Sequence, residues 1–119
     1  MTSEELARLC TVYATDKQAQ EVVALDLRGI SSFADFFVIC TGASEPQLKA
    51  IAGEITDRLQ AEHGMKPAAV DGHPFSQWIV LDYGSVVIHI FHEVKRELYS
   101  LEDLWGDAPQ LDLSKSGAV

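Results

Sequence analysis

The chain has 119 residues, 47% hydrophobic and 23% charged, which suits one domain with a real core. Nine Lys and Arg stand against eighteen Asp and Glu, for a formal net charge of −9. That balance argues against affinity built on phosphate neutralisation, which needs a basic face, and leaves two equal readings, a basic partner or acidity that serves solubility alone. Two cysteines, Cys10 and Cys40, lie among apolar residues and read as small buried hydrophobes rather than a disulfide framework. No apolar stretch approaches the ~20 residues of a membrane span. The acidic opening MTSEEL is unlike a secretory or import sequence, so a cytoplasmic location is expected.

Residues 3 to about 15 predict a helix. Ser3 is the expected cap, Glu4 and Glu5 suit the positive end of the dipole, and Leu6, Leu9, Cys10 and Tyr13 form one apolar face. Residues 21–27 (EVVALDL) read as a strand, with Gly29 breaking it and Ser31-Ser32 continuing a polar loop. Residues 36–40 (FFVIC) read as a second strand, apolar on both faces and therefore covered on both. The clearest local signal follows: Ser44 and Gln47 as a capping box, Pro46 in the first turn, and Leu48, Ile51, Ala52, Ile55 and Leu59 as a stripe ended by Gly64. The predicted helix runs from about 45 to 63.

Residues 66–70 predict a short edge strand beside Pro67. Residues 78–91 (WIVLDYGSVVIHIF) are two β-branched runs around the break Asp82-Tyr83-Gly84-Ser85, the pattern of an antiparallel hairpin at the centre of a sheet. Residues 93 to about 104 read as a helix ending at Trp105-Gly106. Residues 1–106 thus form one domain, and 107–119 are expected to be a mobile tail.

The chemistry-bearing residues are sparse. His89 and His92 form an H-x-x-H pair at a strand end, where that spacing puts them on opposite faces, so no metal site is expected. One glycine in Thr41-Gly42-Ala43-Ser44 does not make a phosphate loop, and Ser44 is already explained as a cap. Two-metal nucleotidyl transfer needs closely spaced carboxylates, whereas Asp26 and Asp82 each stand alone on a predicted strand. No G-x-S-x-G elbow occurs. What remains is the hairpin, where Trp78, Val80 and Asp82 share a face. An aspartate on a strand face is costly if buried unpaired, so that face is expected to be partly open near its end; a docking surface built on its aromatic residues and simple packing of Trp78 beneath a helix are equal readings of it.

In order along the chain, ALDLRG (24–29), ADFFVICTGAS (34–44) with its capped helix, DG (71–72), WIVLDYGSVVIHIF (78–91) and RELYSLEDLW (96–105) resemble the Iojap family, the bacterial ribosomal silencing factors. The resemblance covers about residues 20–105. It implies an α/β (α+β) fold with a mixed five-stranded sheet flanked by helices, nucleotidyltransferase-like without the catalytic carboxylates. It implies binding rather than catalysis, with no cofactor. The partner would be the large ribosomal subunit through ribosomal protein L-fourteen, so that subunit joining is blocked and translation repressed when nutrients run short. Carried onto this sequence, the docking residues would be Trp78, Asp82 and Tyr83, with Lys95 and Arg96 pairing acidic groups of the partner and Asp35 contributing from its loop. Asp26 and Arg28 are expected to form an internal ion pair. Ser85 departs from the acidic residue expected after the turn glycine. The competing readings are a nucleotide-binding or nucleotidyltransferase-type enzyme on the same fold, and a homodimer through the same strands.

Overall fold

The structure, a computed structural model, describes residues 1–72, 77–99 and 108–113. Its elements are α1 (Ser3–Asp16), β1 (Gln20–Asp26), β2 (Phe36–Gly42), α2 (Glu45–His63), β3 (Ala69–Asp71), β4 (Trp78–Asp82), β5 (Val86–His92) and α3 (Glu93–Tyr99). Part of the last predicted helix, residues 100–104, lies outside the described residues, as do Trp105, Gly106 and tail residues 107 and 114–119.

The five strands form one mixed sheet in the order β1-β2-β5-β4-β3. Only β2 and β5 run parallel; the other three pairings are antiparallel. The predicted hairpin is β4–β5, closed by a tight turn in which the Tyr83 N–H donates to the Val86 carbonyl at 2.9 Å. Gly84 takes φ +83° there, a left-handed value that glycine adopts without strain. The sheet's central strand is β5; β4 is next to the edge. The long crossover through α2 is what lets β2 lie parallel to β5.

Strand alternation divides the apolar residues into two layers. Phe36, Val38 and Cys40 of β2, Val86, Ile88 and Ile90 of β5, and Ile79 and Leu81 of β4 face α1 and α2. The helices meet them with Leu6, Cys10 and Tyr13, and with Leu48, Ile51, Ile55 and Leu59, all buried. Burial pushes the Cys10 and Cys40 thiols up to about 12, which leaves both inert at neutral pH.

The caps explain where the helices begin. Thr2, not Ser3, caps α1: its hydroxyl accepts from the Glu5 N–H, and the Glu5 carboxylate accepts from the Thr2 N–H. Ser44 caps α2 as expected, but Gln47 reaches past it. Its side-chain oxygen accepts from the Ala43 N–H at 2.6 Å, and its amide donates to the Lys17 and Gln18 carbonyls. One side chain thereby ties the start of α2 to the end of α1.

The expected mobile tail is corrected over residues 108–113. β1 is an edge strand with free backbone groups, and this segment runs along it. The Asp26 N–H donates to the Pro109 carbonyl at 2.7 Å, and the Leu111 N–H donates to the Ala24 carbonyl at 2.9 Å. Leu111 and Leu113 pack on the main core. Covering an edge this way removes a template for unwanted pairing.

Two glycines make opposite predictions. Gly72 has φ +108°, and a Cβ there would collide with the Trp78 carbonyl oxygen and lie 2.8 Å from the Ile79 Cα. Gly53 lies inside α2, and a Cβ there meets nothing within 4 Å. Thermal melts should show Gly72→Ala destabilised by about 2 kcal/mol and Gly53→Ala stabilised by about 1 kcal/mol.

Candidate partner-docking face

The second sheet face is built differently from the first. Leu25, Leu27, Ile39 and Phe91 form its buried centre, with Val23, Phe37, Trp78 and Ala108 packed around them. No residue of α1 or α2 belongs to this cluster. Val80 and Asp82 extend the Trp78 row along β4, and Val87 stands beside them on β5; Trp78, Val80, Asp82, Val87 and Phe37 are all half-buried. The result is an apolar strip along the sheet, open at intermediate depth and carrying a carboxylate at one end.

The sequence-predicted residues distribute over this strip in a way that spacing alone does not show. Trp78 pairs with Phe91 at one end of β4, where β5 passes directly into α3, and Lys95 lies half-buried in the first turns of that helix. Asp82, Tyr83 and Asp35 gather at the opposite end. The Asp35 N–H donates to the Ser85 carbonyl at 2.7 Å, which binds the β1–β2 loop to the hairpin turn. Asp82 also shapes that turn, its carboxylate accepting from the Gly84 N–H at 2.7 Å.

Tyr83 does not share the Trp78 face. Its ring turns to the opposite side and packs on the core beneath the helices, and its hydroxyl is buried with no hydrogen-bond partner. Burial pushes that hydroxyl up to about 12. Arg96 is a correction: it is 6% exposed, and its guanidinium donates to the Glu21 carbonyl and to the Thr41 hydroxyl, each at 2.8 Å. It anchors α3 to the β1 and β2 ends instead of meeting a partner. The expected Asp26–Arg28 pair is present and two-pronged, at 2.7 and 3.0 Å, and the guanidinium holds the Asp26 carboxyl below its usual range.

Trp78 is held by an aromatic cluster. Its indole stacks on Phe91 with centroids 5.0 Å apart, and its Nε1–H donates to His89 Nδ1 at 3.2 Å. Phe37 meets the His89 ring edge-on at 4.7 Å. Burial pushes His89 down to about 4, so the imidazole is neutral at pH 7. The unfolded chain therefore binds more protons between the ordinary histidine value of 6.5 and about 4. Stability carried by neutral His89 is complete above pH 6.5 and falls as the pH drops toward 4, by about 3 kcal/mol over the window. Urea titrations at pH 7 and pH 4 should show His89→Asn losing less stability than the parent between them.

Sequence reasoning missed one feature. Phe33 is 84% exposed and Ile30 45% exposed on the β1–β2 loop, at the Asp35 end of the sheet. An aromatic residue inside the polar run after Gly29 was the available signal.

For two-metal nucleotidyl transfer Asp26 and Asp82 are badly placed. Asp26 and Asp82 sit on β1 and β4 with β2 and β5 between them, so their strands lie roughly 14 Å apart. They also lie on opposite sheet faces by alternation. Two-metal chemistry needs ions about 4 Å apart. Among the described residues, no group of three or more His, Cys, Asp or Glu could hold a metal, and no helix is long and apolar enough to cross a membrane.

The family model described as "Ribosomal silencing factor during starvation" matches residues 1–118. The chain is 44% identical over 113 residues to "Ribosomal silencing factor RsfS" of Halalkalibacterium halodurans, covering 95% of this chain and 96% of that one. It is 42% identical to the protein of the same name from Bacillus subtilis, covering 95% of each. Among solved structures, a Chromobacterium violaceum protein superposes with TM-score 0.83 at 29% identity over 89% of this chain and 88% of that one. A Bacillus halodurans protein superposes with TM-score 0.78 at 40% identity over 92% and 98%.

Proposed function

The chain belongs to the family of ribosomal silencing factors, and we propose that it docks on the large ribosomal subunit through ribosomal protein L-fourteen, blocks joining of the small subunit, and so represses translation when nutrients run short. The observation that carries this reading is the half-open apolar strip of Trp78, Val80, Val87 and Phe37, with Lys95 at one end and Asp82 and Asp35 at the other. Such a strip suits a protein partner of mixed character, because buried aromatic anchors supply affinity while charged ends fix register. The net charge of −9 disfavours bare ribosomal RNA and favours a basic ribosomal protein. Burying about 800 Å² per partner is enough for a small domain to obstruct a second body sterically, and no catalytic step is needed. The docking residues are Trp78, Asp82, Asp35 and Lys95. Tyr83 supports the hairpin from the core side, and Arg96 holds α3. A factor of this kind works in the cytoplasm, where the subunits join.

The test is light scattering on purified subunits mixed with and without the protein, together with co-sedimentation on large subunits. The expected result is reduced joining and stoichiometric binding to the large subunit alone. Unimpeded joining, or absence of the protein from the large-subunit pellet, overturns the reading. Sedimentation of the free protein at several concentrations separates ribosome docking from self-association through the same strip.

A further inference from the structure

His89 is the one histidine of the hairpin turned into the aromatic cluster, and it is 7% exposed. Its Nδ1 accepts the Trp78 indole N–H at 3.2 Å. A neutral imidazole that accepts at Nδ1 carries its proton at Nε2, and Nε2 is buried without a hydrogen-bond partner. A leucine or phenylalanine would fill the same space without an orphaned donor, but would leave the indole N–H unpaired instead. Among the described residues, the imidazole belongs to no group of three or more His, Cys, Asp or Glu that could hold a metal.

What the hydrogen bond adds is direction. Trp78 stacks on Phe91 at an interplanar angle of 24°. Stacking alone permits the indole two faces-on orientations related by a flip about its Cβ–Cγ bond. In one, the N–H points toward His89; in the other, it points away from it. The bond to His89 selects the first and fixes the ring.

We propose that His89 is a positioning residue for docking: by accepting the indole N–H it locks Trp78 in a single orientation before the partner arrives. The partner surface that meets Trp78 therefore supplies no hydrogen-bond acceptor to the indole nitrogen, which is already bonded. The inference rests on the reading that Trp78 contacts the large subunit.

The experiment uses the ¹⁵N-labelled full chain and reads the Trp78 indole N–H resonance, assigned by its loss in Trp78→Phe. His89→Phe should move that resonance upfield, speed its exchange with water, and weaken large-subunit binding roughly fivefold, the factor of one neutral hydrogen bond. His89→Asn, whose side-chain oxygen can stand in for Nδ1, should restore both the resonance and the binding. An unmoved resonance in His89→Phe overturns the proposal, as does a moved resonance with parent-like binding while Trp78→Ala binds poorly. Should His89→Phe fail to fold, loss of the bonded resonance in folded His89→Asn overturns it equally. If Trp78→Ala binds like the parent, the docking reading fails, and the positional role of His89 in docking falls with it, whatever the resonance shows.

Discussion

Trp78→Ala is expected to weaken binding to large ribosomal subunits by about 2 kcal/mol or more, roughly thirtyfold in Kd. The indole is the largest side chain on the open strip, and it is fixed before any partner arrives, by Phe91 beneath it and His89 at its nitrogen. A fixed aromatic side chain loses little entropy on docking, so more of its contact energy appears as affinity. The same substitution removes an internal stack, so melting must be followed beside binding. The informative result is a large loss of binding at a temperature where circular dichroism shows the fold intact. Asp82→Asn should lose less, because a carboxylate at the rim acts mainly on association rate and salt dependence.

Arg96→Met is expected to lower stability by about 3 kcal/mol, a fall in Tm of roughly 10 °C for a chain of this length. The methionine would keep much of the packing volume but none of the donors. The Thr41 hydroxyl, in a residue 1% exposed, and the Glu21 carbonyl would both lose the donor they now share. Arg96→Lys should recover only part of the loss: both bonds leave one guanidinium nitrogen, Nη1, and the shorter lysine side chain must carry its ammonium to that same buried point. Differential scanning calorimetry separates the three proteins.

The contrast between these two residues shows where sequence reading succeeds. Local patterns were sufficient for α2, where the cap at Ser44, the stripe from Leu48 to Leu59 and the glycine at 64 all act within a few residues of each other. They were sufficient for the hairpin, and alternation alone put Trp78, Val80 and Asp82 on one face. They were not sufficient for Arg96. A Lys-Arg pair just after a strand looks like surface charge, and only the meeting of β1, β2 and α3 supplies the two acceptors that make burial tolerable. Tyr83 failed for a related reason: one residue beyond the strand, alternation turns it to the helix side, where it packs near α1. Residues 108–113 were misread because their few apolar residues look inadequate for a core. Leu111 and Leu113 do pack there, and the segment is tied besides by backbone bonds to the free edge of β1, which no side-chain pattern records. That Asp26 and Asp82 are alone on their strands was legible; that two strands separate them required the sheet order.

The central claim is that the β4–β5 face meets ribosomal protein L-fourteen. A photo-crosslinking amino acid placed at Val80, midway between Trp78 and Asp82, tests it most directly. Illuminated with purified large subunits, the protein should give one dominant crosslink, to ribosomal protein L-fourteen, and the same amino acid at Lys49 on the exposed side of α2 should give none. A dominant crosslink from position 80 to another ribosomal protein or to ribosomal RNA, or equal yields from positions 80 and 49, contradicts the claim.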